Sequence, residues 1–482
     1  MTREELYKRL TDIEWDDFEV KEAKSELPKS IWETVSAFSN TSGGWIVLGI
    51  QQKGKEFIIK GVAHAEKLEQ DFTTTLRNKG KFNAILYCQP QKMEIDGKTV
   101  LLFHIPSSTL KPIYTGGNVQ NTFIRSGSGD QRASDMEIAA LFREQSFGTK
   151  SEQVVEGSSI NDIDPNSLAT YRNHIRNFNT DFLYNNLSDK EFLLKTGFMK
   201  EDKLTYGGLL FLGKYDRVRF WIDNFWIDYI EIPGLSYSDA AVRYSYRMPE
   251  QANIWESYNV LIQRLRIHVD APFTAGPNGF SPDDNTLLYS LREGLINMLA
   301  HADYFSPMHP TIRKYDNRIE FQNPGRFMFD LKEVRTQMHS MPRNPNIIKF
   351  FRYPKLAENA GYGIDKMLIW ERYKNKTVDF QSNIVSSTVT YFFDILRYET
   401  EKEEEKANQP SITPDPSHPD LTGNCLLVYR LLKATPNISI TEVAQLSKLS
   451  YDGVRYNLEK LRSAGYIIRK GGNKNGYWVI LK

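Results

Sequence analysis

Residues 399–420 constrain this chain most. The run Glu399-Thr-Glu-Lys-Glu-Glu-Glu-Lys406 passes into a mixture of Pro, Ser and Asp. It has almost nothing apolar to bury, so nothing offsets the conformational entropy lost on ordering it. A flexible linker is expected there, and the chain must fold as at least two bodies. Its 482 residues suggest three or four domains at roughly 100–200 residues each. A weaker boundary falls at 147–161, where Gly, Ser and Glu interrupt the pattern. The expected organisation is an α+β multidomain protein with units at 1–150, 151–398 and 421–482, the last tethered by 399–420.

Composition narrows the function classes. Hydrophobic residues make up 40% and charged residues 25%, as in ordinary globular domains. The formal net charge is +1, so any surface for nucleic acid must be a local basic patch. Cys88 and Cys425 fall in different expected units, which excludes a disulfide framework and a zinc set and fits a reducing compartment. Met1 is followed by Thr2-Arg-Glu-Glu5 rather than a signal peptide. No apolar run approaches the roughly 18–20 residues of a membrane span. A cytoplasmic protein with no membrane partner is expected.

The last unit has a legible order of elements. Leu426, Val428, Leu431 and Leu432 mark one amphipathic helix. Ile438 to Ile440 reads as a short extended piece, and Thr441-Glu442 opens a second helix. A third runs from about Tyr451 to Ala464 with Val454, Leu458 and Leu461 inward, and Gly465 ends it. Two strands then flank Gly471-Gly-Asn-Lys-Asn-Gly476. Helix, turn, helix and Gly-rich hairpin form the winged-helix layout, whose third helix enters a DNA groove. The candidate nucleic-acid contacts are Arg455, Tyr456, Asn457 and Lys460 on that helix, with Lys470 and Lys474 on the wing. Such cations meet phosphates, and Arg or Asn can read base edges. A winged helix used for protein contacts is the competing reading.

The first unit alternates helix and strand signals. Ile31 to Phe38 has helical spacing, and Trp45 to Ile50 reads as a buried strand. Ile95-Asp-Gly-Lys98 is a hairpin signal. Ser134-Asp-Met-Glu137 is a capping box. Glu19-Val-Lys-Glu22-Ala-Lys24 and Ala37-Phe-Ser-Asn-Thr-Ser-Gly-Gly-Trp-Ile-Val-Leu-Gly49 resemble the Schlafen AlbA-type domain over most of residues 12–145. The resemblance implies nucleic-acid binding. Some members of that family cleave RNA with metal-bound carboxylates, which would bring in Glu19 and Glu22. A solvated charge cluster beside Lys21 and Lys24 is the alternative.

The central unit carries a polar row. Leu204-Thr-Tyr-Gly-Gly-Leu-Leu-Phe-Leu-Gly213 reads as containing a strand at Leu209–Leu212, and Asn285 to Ala300 as a long helix. On that helix Glu293, Asn297 and His301 stand at i, i+4 and i+8, which keeps them on one face with a drift of about 40° per step. An acid, an amide and an imidazole on an otherwise apolar helix are costly unless satisfied or used. The segment is similar to the N-box of the GHKL ATPase fold, an α/β sandwich, in the form found in RecG-related proteins. Arg318-Ile-Glu-Phe-Gln-Asn-Pro-Gly325, Arg343-Asn-Pro345 and Gly361-Tyr-Gly-Ile-Asp-Lys-Met367 follow in the order that resemblance implies.

The resemblance implies roles. Asn297 would hold Mg2+ bridging ATP phosphates, and His301 would lie in the same site. Glu293 would activate water. Asn323 and Gly325 would stand near the base pocket, and Gly361 and Gly363 would form the lid turn. Asn323-Pro-Gly325 lacks the carboxylate that usually holds adenine. No Gly-x-x-x-x-Gly-Lys-Ser/Thr loop occurs, so the helicase name does not transfer. The leading functional expectation is a homodimeric DNA-binding transcription regulator with a nucleotide-sensing centre using ATP and Mg2+. The alternatives are an ATPase or metal-dependent nuclease acting on nucleic acid, and a scaffold without catalysis.

Overall fold

The computed structural model describes residues 1–11, 17–54, 56–127, 129–238, 242–269, 286–328, 331, 341–357, 363–394, 423–447, 451–470 and 477–481. The chain separates into two compact units, Met1–Ile395 and Leu396–Lys482. The expected linker and the residues Gly361 and Lys474 lie outside the described residues.

The first unit begins with a four-stranded sheet. Its order is Phe18–Lys21, Gly44–Leu48, Lys98–Ile105, Gln89–Ile95. Only the outer pair Phe18–Lys21 and Gly44–Leu48 is parallel. Side chains alternate across the strands, so one face buries Ile46, Leu48, Leu101 and Phe103 with the helices Ile31–Asn40 and Ala65–Leu76. The other face buries Val47, Val100 and Leu102 with Leu6. The hairpin turns at Asp96 and Gly97, both at positive φ (50° and 71°), as a tight two-residue connection requires. The expected strand from Trp45 to Ile50 is broken at Gly49, whose φ is +96°. A Cβ there would lie 3.0 Å from the backbone of Gly61. The chain therefore leaves the first sheet and pairs Ile50–Lys53 with Glu56–Ile59.

A six-stranded sheet follows in the order Tyr246–Arg247, Asp228–Glu231, Thr311–Lys314, Arg318–Pro324, Ser386–Phe392, Thr377–Ser382. Asp228–Glu231 and Thr311–Lys314 run parallel, and the other pairs are antiparallel. The helices Ile254–Ile267 and Thr286–His301 share one core with this sheet through Leu261, Leu291, Leu295, Leu299, Ile312, Phe321 and Tyr391. The expected strand at Leu209–Leu212 is instead the helix Tyr206–Leu212. Thr205 caps it by accepting from the Gly208 amide at 3.0 Å. Gly207 and Gly208 let it dock, because a Cβ at Gly208 would sit 2.2 Å from the Phe198 carbonyl oxygen.

Buried charges tie the first sheet's region to the second. Glu144, at the end of the helix Asp135–Glu144, accepts both guanidinium arms of Arg326 at 2.7 and 3.0 Å and pairs with Lys111 at 3.4 Å. Arg143 meets Asp303 at 2.6 Å. Burial first, and Arg326 second, push the Lys111 ammonium down to about 8 against the pull of Glu144. Burial raises the Glu144 carboxyl, but Arg326 and Lys111 outweigh it and hold the group below its ordinary value.

The second unit contains the helices Gly423–Ala434, Ile440–Ser447 and Tyr451–Ser463, then the hairpin Ile467–Lys470 with Tyr477–Ile480. Leu426, Tyr429, Val443, Val454, Leu461, Ile467 and Trp478 form its core. The piece Ile438 to Ile440 is not an extended strand. Ser439 and Glu442 exchange hydrogen bonds at 2.8 and 3.2 Å, a capping box that starts the second helix at Ile440. No described helix is long and apolar enough to cross a membrane.

Candidate functional site

The central polar row sits where the helix Thr286–His301 meets the helix Gly363–Leu368. Ser290 Oγ donates to the Met367 carbonyl at 2.6 Å, and Tyr391 Oη donates to the Ser290 carbonyl at 3.1 Å. Gly294 allows this approach: a Cβ there would be 2.6 Å from the Tyr391 hydroxyl. These contacts fix the helix against both the sheet and the short helix.

Glu293 is buried, and Asn297 Nδ2 donates to its carbonyl at 2.8 Å and to its Oε1 at 3.1 Å. That spends the donor side of the amide. Asn297 Oδ1 accepts no hydrogen bond among the described residues, which leaves it available to a cation. Gly363 closes over the pair. A Cβ on it would lie 3.0 Å from Glu293 Oε1 and 3.1 Å from Asn297 Nδ2, so backbone approaches where a side chain would collide. The structure thus brings together Glu293, Asn297 and Gly363.

Asn323 reaches the same helix from the strand Arg318–Pro324. Its Nδ2 donates to the Met298 carbonyl at 2.8 Å, which assigns the orientation of the amide. Oδ1 is then a buried acceptor with no partner among the described residues. An acceptor is what an exocyclic amine needs, so the position retains hydrogen-bonding capacity without a carboxylate.

His301 and Gly325 form a different environment. Gly325 has φ +90°, and a Cβ there would be 2.7 Å from the Arg343 guanidinium. The space expected to border a base is filled by Arg343, which also lies 4.9 Å over the Phe147 ring. Arg343 Nη2 is buried and without a hydrogen-bond partner among the described residues. Burial pushes the His301 imidazole down to about 4, with Arg343 adding to the shift. At neutral pH His301 is an uncharged imidazole at the helix end, not a cation for phosphate.

In the first sheet's region the turn after the helix Ile31–Asn40 is filled by protein. Asn40 Nδ2 donates to the carbonyls of Ile113 and Phe123 at 2.8 and 2.9 Å, and its Oδ1 accepts from the Ile113 amide at 2.7 Å. A Cβ at Gly43 would sit 2.8 Å from the Ile105 carbonyl oxygen. Glu19 pairs with Lys21 at 2.8 Å and with the buried Arg125 at 3.0 Å. Glu22 accepts from Gln51. Among the described residues no group of three or more His, Cys, Asp and Glu side chains is placed to hold a metal ion.

On the second unit Arg455, Tyr456, Lys460 and Lys470 are exposed, Tyr456 at 69%. Arg462, which the sequence reading passed over, is exposed on the same helix as Arg455. Its seven-residue spacing from Arg455 is the signal that finds it, since two turns return a side chain to nearly the same face. Asn457 departs from expectation. It is only 9% exposed, and its Nδ2 donates to the Gly453 carbonyl at 2.7 Å. It faces the core side because Val454, Leu458 and Leu461 set the buried stripe and Asn457 falls beside it.

Four family models match separate stretches of the chain. A family described as "Schlafen, AlbA_2" matches residues 14–134. A domain of unknown function matches 139–228. The family "Putative ATP-dependent DNA helicase recG C-terminal" matches 308–391, a stretch that begins after the Glu293–Asn297 helix and contains Asn323, Gly325 and Gly363. A winged helix-turn-helix DNA-binding family matches 426–468. The DIP2311 protein of Corynebacterium diphtheriae aligns at 18% identity and a TM-score of 0.39 over 96% of this chain and 92% of its own. The N-terminal domain of a RecG-related protein of Nitrosomonas europaea aligns at 27% identity and a TM-score of 0.21 over 27% of this chain and 92% of its own. No curated protein matches. The chain therefore joins, in order, a segment of the Schlafen AlbA_2 type, a segment of the RecG C-terminal ATPase-like type and a winged helix-turn-helix of the DNA-binding type.

Proposed function

We propose that the protein is a transcription regulator that binds DNA through its winged helix and senses ATP with Mg2+ through the central segment. The observation that carries the reading is the exposed face of Arg455, Tyr456 and Lys460 on the third helix, with Lys470 on the adjoining strand. Cations on those two elements meet phosphate oxygens when such a helix lies in a major groove. A cytoplasmic homodimer reading a two-fold symmetric site fits this mode of binding.

In the central segment Asn297 Oδ1 would ligate the metal, Asn323 Oδ1 would accept from the base, and the Gly363 backbone would lie beside the phosphates. Bound Mg2+ would neutralise phosphate charge. Glu293 is held against Asn297 and orients its amide. Sensing needs only binding, which these residues supply.

The test is fluorescence anisotropy of duplex DNA with the full chain over a range of salt concentrations. Each phosphate contact contributes about 0.9 to the slope of log affinity against log salt. Arg455→Ala with Lys470→Ala should lower the slope by about 2; an unchanged affinity and slope overturns the DNA reading. A thermal shift produced by ATP with Mg2+ and abolished by Asn297→Ala supports the sensor. Turnover of ATP lost in Glu293→Ala would instead make the central segment an ATPase.

A further inference from the structure

A pocket of about 860 Å³ opens between the helix Pro165–Phe178, the helix Ile254–Ile267, the start of the helix Thr286–His301 and the turn at Pro354–Leu356. That volume suits a drug-sized or nucleotide-sized molecule. Glu293, Asn297 and Gly363 do not line it. It is therefore separate from the residues assigned to ATP and Mg2+ above.

The lining has an unusual chemistry. It includes three cations, Arg266, Arg292 and Lys355, and three aromatic rings, Phe178, Tyr258 and Tyr289; no Asp or Glu is among the described lining residues. Arg266 is engaged elsewhere, but Arg292 and Lys355 still offer positive charge to an anionic occupant.

One buried donor in the pocket has nothing to bond to among the described residues. Arg292 Nε is buried without a partner among the described residues, and its guanidinium lies 4.9 Å over the Tyr289 ring. Tyr258 is only 3% exposed and lines the same pocket. Burial pushes that phenol up to about 12, with Arg292 opposing the shift. It is therefore a protonated donor at neutral pH. A buried unsatisfied donor costs stability unless a ligand or water meets it.

Lys355 adds a third observation. It has φ +58°, a left-handed conformation that disfavours a Cβ and is ordinarily given to glycine. The turn holds it there: its amide donates to the Arg352 carbonyl at 2.9 Å and the Leu356 amide to the Phe351 carbonyl at 3.0 Å. A cation kept in a strained position at the rim of a basic pocket is consistent with a role in binding.

We propose that this pocket binds a nucleoside monophosphate, its base laid against Phe178 and Tyr289, its phosphate held by Arg292 and Lys355 with the Tyr258 hydroxyl as a further donor. Rings supply stacking faces, and a phosphate dianion takes the orphan Arg292 donor and the charges of Arg292 and Lys355. Because Arg292 and Lys355 neutralise the phosphate, no metal ion is needed. Occupancy would draw together the helices Ile254–Ile267 and Thr286–His301 and the turn at Pro354–Leu356, and so would bias the helix that carries Glu293 and Asn297.

The test is isothermal titration calorimetry of the full chain in EDTA with AMP, GMP, CMP and UMP, against the matching nucleosides and inorganic phosphate. At least one monophosphate should bind with a Kd below about 100 µM, and its nucleoside and phosphate at least tenfold more weakly. Arg292→Gln and Tyr258→Phe should each weaken binding at least about tenfold, while Asn297→Ala leaves it unchanged. Lys355→Gly guards against misfolding, since glycine suits the backbone there. It should keep or raise the thermal midpoint while affinity falls. No monophosphate binding, equal binding of the nucleoside without phosphate, or loss in Asn297→Ala but not in Arg292→Gln overturns the proposal. The metal-free condition and the Asn297→Ala control separate its failure from failure of the Mg2+-dependent sensor.

Discussion

Two buried asparagines behave in opposite ways. Asn40, beside the first sheet, uses both ends of its amide on the backbone of Ile113 and Phe123. Asn323, on the second sheet, uses only its donor and leaves Oδ1 buried and unmatched. Both follow a glycine-containing, polar motif pattern in sequence, and both are almost inaccessible. Burial and polarity therefore do not separate a structural amide from one that faces a ligand. The count of satisfied valences does: a saturated amide holds the chain together, and a half-used one keeps capacity for something else.

That contrast can be broken most directly at Asn40. Asn40→Ala removes hydrogen bonds to the backbone of Ile113 and Phe123 and should cost about 3–5 kcal/mol, read as a fall in the urea midpoint of the full chain. A midpoint close to wild type would mean that the saturated network is dispensable. Gly325→Ala should cost about 2 kcal/mol, because alanine is strained at φ +90° and its Cβ meets the Arg343 guanidinium. The same denaturation experiment checks it. Stability unchanged by that substitution would show that Arg343 yields easily and that this end of the polar row is loosely packed.

The pH dependence of His301 is a smaller effect. Its folded pKa of about 4 lies below the ordinary value near 6.5. The unfolded chain therefore takes up a proton first as pH falls. The stability linked to His301 is fully present above about pH 6.5 and is lost as pH drops from there toward 4. His301→Gln should flatten the stability profile in that window by about 1–2 kcal/mol. An identical slope in the variant would remove His301 from the account. The smallest effect on stability belongs to Asn323→Leu, about 1 kcal/mol for the lost bond to Met298. It should nonetheless weaken binding of ATP with Mg2+ about tenfold by thermal shift or calorimetry. If it unfolds the protein as badly as Asn40→Ala, the contrast between the two amides fails.

Much of the fold could be read from residue chemistry. Asp96-Gly97 made the hairpin, Ser134 with Glu137 made the capping box, and the spacing of Leu291, Leu295 and Leu299 made the long helix, all as local rules predict. Leu209–Leu212 was misread because a helix buried on every side has no polar face. Its continuous apolar run then looks like a buried strand. The capping role of Thr205 was the overlooked cue. Glu293 and Asn297 were legible together because the polar row is expensive on an apolar helix, whereas Gly363 entered only through the resemblance to the GHKL fold. Arg343 over Gly325 and the basic pocket at Tyr258 were not legible. Their residues are separated by tens to hundreds of positions, and only the tertiary fold brings them together. Asn457 was placed on the wrong face because it borders the apolar stripe, where one residue's rotation decides exposure.

The shared carboxylate Glu144 has a consequence for how such a protein can be rearranged. Its partners Lys111 and Arg326 come from opposite sides of the 147–161 stretch. Joining residues 1–147 to a foreign body would leave Glu144 without its bidentate guanidinium. The recipient would lose its half as well, since Arg326 would keep a charge with no counterpart. Removing one member of a buried ion pair costs more than the pair contributes intact. Residues 1–147 are therefore not a portable cassette: they can be exchanged intact only together with the strand Arg318–Pro324 and the loop after it that carries Arg326.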